Sequence, residues 1–107
     1  MGVVGKRTVG PSGYREYIAS VAWRVKREEY WRSGLPDSCY CCGADRHPGM
    51  HLHHRTYKNL GAERLMDLVP LCAGCHAEVH RLHADLVWRR RGLWAATKRV
   101  RRDRTGG

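Results

Sequence analysis

Residues 39–43 read CYCCG and residues 71–80 read LCAGCHAEVH. Each stretch contains a Cys-x-x-Cys pair, and the four cysteines concerned are Cys39, Cys42, Cys72 and Cys75. Two such turns let four sulfur atoms approach one ion, and zinc in closed structural sites prefers four tetrahedral thiolate or imidazole ligands. The spacing therefore predicts one structural Zn²⁺ that joins two distant parts of the chain.

The fifth cysteine, Cys41, is a possible substitute for Cys39, although the two-residue spacing to Cys42 favours Cys39. Two disulfides are the other interpretation of four cysteines, and a reducing compartment disfavours them. We expect a cytoplasmic protein without membrane contact, because the N-terminus lacks an apolar signal segment and no apolar run approaches the ~20 residues of a membrane span. A chain of 107 residues has a small core, and structural zinc can add about 10–16 kcal/mol of apparent binding free energy.

Histidines are grouped around both cysteine pairs. Residues 51–54 read HLHH, and His76 and His80 follow the second pair four residues apart. Positions i and i+4 share one helix face, so these two imidazoles can hold one divalent ion. Adjacent strand residues point to opposite sides, so one histidine can bind metal while its neighbour faces a water molecule. An imidazole base and a Lewis-acidic metal are what phosphodiester hydrolysis needs.

Hydrophobic periodicity predicts a small α+β domain with the order helix, strand, loop, strand, helix, helix. The first helix is expected over 14–32, with a buried stripe formed by Tyr14, Ile18, Val21 and Val25. The later elements are expected as strands over 50–54 and 67–71 and helices over 74–91 and 93–102. We interpret residues 1–12 as a flexible basic arm and residues 13–107 as a single domain.

Residues 39–80 resemble the HNH endonuclease family, and specifically its small phage and bacterial members. The matching segments are Cys39-x-x-Cys42-Gly43, His51-Leu52-His53-His54-Arg55-Thr56-Tyr57, Gly61-x-Glu63 and Asp67-Leu68-x-x-Leu71-Cys72-x-x-Cys75-His76-x-x-x-His80. The resemblance implies a ββα-metal core with structural zinc knuckles and flanking N- and C-terminal helices. It also implies a catalytic divalent ion (Mg²⁺, Mn²⁺, Ni²⁺ or Zn²⁺) and hydrolysis of DNA with weak sequence preference. A role in phage genome packaging or in mobile DNA is a further expectation.

The resemblance also assigns roles by position. His54 corresponds to the general base, His53 and His76 correspond to metal ligands, and His80 is similar to the extra helical ligand of colicin-type nucleases. Asp67 stands where the family has an Asn that bonds across the loop and orients the base. An Asp accepts such bonds but cannot donate them, so a shift of Asp67 to metal binding is also open. We assign the remaining loop matches to structure rather than catalysis: Tyr57, Gly61 and Glu63.

The formal net charge of +10 indicates a polyanionic partner, and nucleic acid, here DNA, is the first expectation. A solvated basic surface is the alternative. Basic residues crowd the C-terminal tail over 89–107, and we expect DNA contacts from Arg89, Arg90, Arg91, Lys98, Arg99, Arg101 and Arg102. Trp88 and Trp94 are expected to pack the last two helices together. Whether the N-terminal helix covers the core or lies on DNA stays open.

Three residues and two other functions also stay open at this level. His83 is expected not to be a ligand, and no role follows for His51 or Cys41. A catalytically silent zinc-containing module that only binds nucleic acid is the first alternative, and Asp67 is the feature that supports it. A zinc-stapled protein-interaction domain is the second, but it leaves the charge and the histidines unexplained.

Overall fold

Helices pack on both faces of a short two-stranded sheet in the computed structural model, which describes residues 13–106. The elements of these residues, in chain order, are α1 (Tyr14–Ile18), α2 (Val21–Arg32), β1 (His51–His54), a 3-10 turn (Leu65–Asp67), β2 (Leu68–Leu71), α3 (Ala73–His83), α4 (Leu86–Arg91) and α5 (Leu93–Thr105). The predicted small α+β architecture is confirmed. The predicted basic arm over 1–12 lies outside the described residues. Within the described part of the chain, no helix has the length and apolarity needed to cross a membrane.

The register of the sheet decides which histidines share a face. Strand β1 pairs antiparallel with β2 and places His53 opposite Val69. Because successive side chains on a strand point to opposite faces, His51 and His53 lie on the α3 side of the sheet and pack against the histidines of that helix. Leu52 and His54 lie on the α2 side.

Each face of the sheet has its own hydrophobic cluster. On the α2 side the buried residues are Trp23, Tyr30, Leu52 and Leu68. On the side of α3 and α5 they are Cys39, Cys41, Leu71, Cys75, Val79, Leu93, Ala96 and Val100. All four residues of β2 are buried, and the outer edge of β2 is covered where the Pro70 carbonyl accepts the Tyr40 N–H at 2.9 Å. The opposite edge of the sheet belongs to β1.

The predicted single helix over 14–32 is wrong, because it is broken at Ser20. The backbone of Ser20 is extended (φ −84°, ψ 161°), and its hydroxyl accepts the Trp23 N–H at 3.1 Å. This N-cap starts α2 afresh and changes its buried face. Val21 and Val25, expected in the core, are 63% and 59% exposed, whereas Trp23 and Tyr30 are buried.

The predicted helix over 74–91 is also two helices. Asp85 ends the run by accepting the Val87 N–H, and so it caps α4. A side-chain carboxylate that accepts a hydrogen bond from a nearby backbone N–H competes with continuation of the helix. The periodicity of apolar residues does not predict this competition.

Smaller differences occur around the second strand and the last helix. Asp67 belongs to the 3-10 turn, so β2 begins at Leu68, and α5 continues past the expected end at 102 to Thr105. Trp94 of α5 also has a partner outside the last two helices. Its ring lies 5.0 Å from that of Tyr40, in the turn that carries the first cysteine pair.

The reassigned face of α2 predicts unequal costs of truncation. Replacing buried Trp23 with alanine should lower the free energy of unfolding by about 3–5 kcal/mol. The matched Val25→Ala change on the same helix should shift it by less than about 0.5 kcal/mol, as expected of an exposed side chain. Urea unfolding monitored by circular dichroism measures both values. Equal losses of unfolding free energy for the two variants would instead support the buried stripe predicted from periodicity.

Candidate metal centres and catalytic cleft

Four cysteines come together where the turn before β1 meets the start of α3, and we call them the cysteine clamp: Cys39, Cys42, Cys72 and Cys75. Their sulfur atoms all lie within 4.8 Å of one another, and Cys42 Sγ is 3.8 Å from Cys72 Sγ. A tetrahedral zinc site with Zn–S bonds of about 2.3 Å has sulfur–sulfur edges of about 3.8 Å. The clamp could therefore hold a structural metal ion such as zinc.

Backbone groups of the clamp favour thiolates. The Cys42 N–H donates to Cys39 Sγ at 3.4 Å, and the Cys75 N–H donates to Cys72 Sγ at 3.5 Å. Burial by itself would raise the pKa of Cys39, but the backbone N–H groups around it lower that pKa to about 7. Burial and the neighbouring thiols raise the pKa of Cys75. A bound cation removes this crowding of negative charge, because the metal ligand is the thiolate.

Cys41 takes no part in the clamp. Its side chain is fully buried, and its thiol donates to the Thr97 carbonyl at 3.6 Å. Burial raises the pKa of Cys41 to about 12. Cys39, and not Cys41, is grouped with the other three cysteines, as the spacing predicts. Cys41 instead connects the turn that carries Cys39 and Cys42 to α5.

The clamp also sets where α3 begins. Cys72 is the N-cap of α3, and Cys75 lies in the first turn of the helix. The next residue is His76, so the position of the clamp determines which way the imidazoles of His76 and His80 point. A structural ion at this point would lock the helix that carries the second group of ligands.

A second cluster brings His53 of β1 together with His76 and His80 of α3. One nitrogen atom from each of these residues lies within 4.8 Å of the others, and His76 Nε2 is 3.2 Å from His80 Nε2. The shared helix face predicted for the latter two is confirmed. This set could also hold a metal ion, and His83 is not among its members.

His51 joins the edge of this cluster, where His51 Nδ1 lies 2.7 Å from His76 Nδ1. No role for His51 follows from the sequence pattern considered by itself. The signal was nevertheless present, because strand alternation places residues two apart on the same face and His53 is two residues further on.

The protonation of His53 follows from its contact with Thr97. The Thr97 hydroxyl donates its proton to the Leu93 carbonyl at 2.8 Å. It can therefore only accept from His53 Nε2, which lies 2.9 Å away. A neutral imidazole carries one N–H, so Nδ1 bears the lone pair. This atom is buried and has no hydrogen-bond partner among residues 13–106. A buried lone pair without a donor fits a metal ligand.

The three histidines of the cluster are held neutral. Burial, followed by the charges of His76 and His80, lowers the pKa of His53 to about 2. Burial and the neighbouring histidines lower the pKa of His76 to about 4, and the pKa of His80 is lowered for the same reasons. Neutral imidazole is the form that binds metal.

On the other face of β1, His54 is bonded to Glu63. His54 Nε2 lies 2.7 Å from Glu63 Oε2, the Tyr17 hydroxyl donates to Glu63 Oε1, and the Trp23 ring stacks on the imidazole at 4.9 Å. Burial would raise the pKa of Glu63, but the bonds from His54 and Tyr17 lower it overall. Burial and the bond to Glu63 raise the pKa of Tyr17. Glu63 is therefore ionised and Tyr17 keeps its proton.

Glu63 is the functional candidate that sequence reasoning missed, because it was assigned to loop structure. Its signal was a charged side chain in a short motif, and a buried carboxylate needs partners. Asp67, expected to orient His54, instead accepts Asn59 Nδ2 at 2.9 Å and the Arg64 N–H at 3.0 Å. Burial would raise the pKa of Asp67, but these donors lower it. Asp67 bonds across the loop, and Glu63 contacts the histidine.

A cleft of about 180 Å³ runs along the β1 edge of the sheet and gathers histidines from both of its faces. Its lining includes His51, His53, His54 and His76. The opposite wall comes from α1 and α2. In this cleft a small part of a substrate can meet both the metal-ligand cluster and His54.

The predicted DNA-binding residues of the tail are exposed on α4 and α5, but none of them lines this cleft. Some of their guanidinium groups are already engaged. Arg91 and Arg99 lie over the Trp88 ring, and Arg99 also donates to Asp103 at 3.1 Å. The tail remains a basic surface whose contact with DNA is a prediction.

The chain was compared with known proteins. It is 34% identical over 59 residues to a mitochondrial DNA mismatch repair protein mutS homolog of Sarcophyton glaucum, across 50% of the chain. The chain covers 6% of the length of that relative. No protein-family model and no solved structure matches it.

The clamp geometry predicts one tightly bound zinc ion per chain. Cys72→Ser keeps a side chain that can cap α3 but removes a thiolate ligand, so the protein should lose its zinc and most of its folded structure. Cys41→Ser is the matched control, which should keep the zinc. Elemental analysis and circular dichroism of the purified variants measure this. A zinc-free wild-type chain that stays folded would contradict it.

The Thr97 contact predicts a change in affinity at the histidine cluster. Thr97→Val preserves the shape but removes the acceptor for His53 Nε2–H, so binding of Co²⁺ to the zinc-loaded protein should weaken roughly 10–100-fold. Thr97→Ser keeps the hydroxyl and should bind like the wild type. Titration followed by the visible absorption of Co²⁺ gives both affinities. Equal affinities for the valine and serine variants would remove Thr97 from the site.

Proposed function

We propose that the protein is a metal-dependent endonuclease of the HNH type, with a ββα-metal core, that hydrolyses phosphodiester bonds in DNA. The observation that carries the proposal is the cleft at the β1 edge, where His54 lies beside His53 and His76. Strand β1 and then α3 supply these residues in the order that the resemblance implies. A base and a metal-ligand cluster beside one cavity are the two requirements of metal-assisted hydrolysis.

The metal would be held by His53, His76 and His80. Its fit rests on the unpartnered lone pair of His53 Nδ1 and on three imidazoles kept neutral. A divalent ion at this position supplies Lewis-acid stabilisation of the phosphoryl and leaving oxygens. Three protein ligands leave further coordination positions open, as catalytic sites require.

His54 would accept the proton of the attacking water at Nδ1. Because the Glu63 carboxylate is ionised and lies 2.7 Å from His54 Nε2, it accepts the Nε2–H and leaves the lone pair on Nδ1. When His54 gains a proton, the adjacent carboxylate stabilises the imidazolium. Tyr17 anchors the other carboxylate oxygen, and the Trp23 stack restrains the ring. Glu63 and Tyr17 are thus positioning residues, and Asp67 shapes the loop that carries Glu63.

DNA as the substrate is supported by charge and by similarity. A net charge of +10 favours a polyanion, and the similar protein is described as a DNA mismatch repair protein. Whether cutting serves genome packaging or mobile DNA stays a prediction of the resemblance.

The proposal predicts a graded loss of cutting. His54→Ala should lower the rate of plasmid nicking by about 10²–10⁴-fold, since it removes the proton acceptor. It should leave zinc content and DNA affinity close to those of the wild type. Glu63→Gln keeps a hydrogen-bond acceptor but removes the charge, so its loss should be smaller. His83→Ala is the control on α3 and should cut normally.

The measurement is conversion of supercoiled plasmid to nicked and linear forms with Mg²⁺, Mn²⁺, Ni²⁺ or no added metal. Equal cutting by the wild type and His54→Ala would remove His54 from the mechanism. DNA binding without cutting under any metal would favour the silent zinc-containing binding module.

A further inference from the structure

One face of α2 forms the wall of the cleft opposite the histidines. Trp23, Arg27 and Trp31 all line the cavities on this side, and they are four residues apart, so they form one row along the helix. Trp23 stacks on His54 at one end of the row. The row is about 12 Å long at 1.5 Å per residue.

A second groove of about 330 Å³ adjoins the cleft at Trp31. The two cavities share Trp31 and Met50, and the second is also lined by Arg46 and His47. The Arg46 guanidinium carbon lies 4.5 Å from the centre of the Trp31 ring. Stacking holds the guanidinium flat and leaves its N–H edge available to an anion.

This combined groove is positively charged and contains no competing carboxylate. Neither cavity has an Asp or Glu in its lining. Among residues 13–106, Arg27 and Arg46 form no ion pair, whereas the acidic residues of α2 do: Glu28 pairs with Arg32 and Glu29 pairs with Lys26. The acidic groups of the helix are neutralised, and the two arginines at the groove are not.

We infer that this wall of the groove, formed by Arg27, Trp31 and Arg46, is the surface that holds the sugar–phosphate backbone of the DNA strand at the histidines. The inference rests on the proposed endonuclease function and names the contact surface of its substrate. Arg27 and Arg46 contact phosphates through charge and hydrogen bonds, and Trp31 supports Arg46. A row of about 12 Å matches about three nucleotides of one duplex strand at 3.4 Å each. Helix α2 thus covers the sheet with one face and contacts DNA with the adjacent face, which carries Arg27 and Trp31.

The test compares two double variants with the same loss of charge. Arg27→Gln/Arg46→Gln removes the groove arginines. Arg15→Gln/Arg24→Gln removes two exposed arginines of α1 and α2 that line neither cavity. Both are made in full-length, zinc-loaded protein with His54→Ala added, so that binding is measured without cutting. Fluorescence anisotropy of a short labelled duplex, over a series of salt concentrations, gives the affinity and its salt dependence.

The groove variant should lose roughly tenfold in affinity, and its slope of log K against log[salt] should fall by about two, one for each lost phosphate contact. The control pair should change the affinity by less than about threefold, because salt screens the attraction between DNA and an exposed charge that does not contact it. Equal losses from the two variants would overturn the inference, because they would mean binding by diffuse charge. An unchanged groove variant would overturn it as well.

The same two arginine pairs are also made with His54 intact, so that cutting can be measured. These variants separate this inference from the proposed function. If plasmid is cut but the groove pair cuts and binds like the control, the groove surface is wrong and the nuclease stands. If nothing is cut but the groove pair selectively loses DNA affinity, the DNA surface stands and the nuclease proposal fails.

Discussion

The cysteine clamp, in which four sulfur atoms come together, connects two distant parts of the chain. Two come from the turn before β1 and two from the start of α3, and both pairs approach within 4.8 Å. The first turn lies along the outer edge of β2 through the Tyr40 N–H, and the second caps α3 through Cys72. The clamp therefore aligns the sheet with the helix. In a chain whose apolar core is divided into two small clusters, a metal at this point would carry much of the stability.

The histidines depend on this alignment, but their protons are set by residues outside the motif. Thr97 on α5 fixes the N–H of His53 because its own proton is used on the Leu93 carbonyl. Glu63 fixes the N–H of His54 on the other face of the strand. Each imidazole thus keeps one nitrogen with a free lone pair, as a ligand or a base requires. Neutral histidines follow from burial, and burial follows from the helices on either side of the sheet.

Positive charge occurs on two surfaces with different relations to the cleft. The tail on α4 and α5 has the higher density of arginines, but none of its predicted DNA-binding residues lines the cleft. Arg27 lines the cleft beside the histidines, and Arg46 lines the adjoining groove. The density of arginines along the chain and their proximity to the cleft are separate properties. For Arg27, proximity depends on how α2 is rotated about its axis. Helix α2 starts afresh after the Ser20 cap, and its buried residues are Trp23 and Tyr30.

The sequence alone determined the features that depend on short spacings. Cys-x-x-Cys turns, histidines four apart on a helix and alternation along β1 follow from backbone geometry over a few residues, and the clamp and the shared face of His76 and His80 were predicted correctly. Tertiary structure decided the partners: Glu63 lies nine residues from His54 in the chain and Thr97 lies 44 from His53. It also decided the face of α2, because a single side-chain cap interrupts a periodic pattern that otherwise continues. Local spacing is fixed by bond geometry, whereas a contact between distant side chains exists only once the elements that carry them have packed.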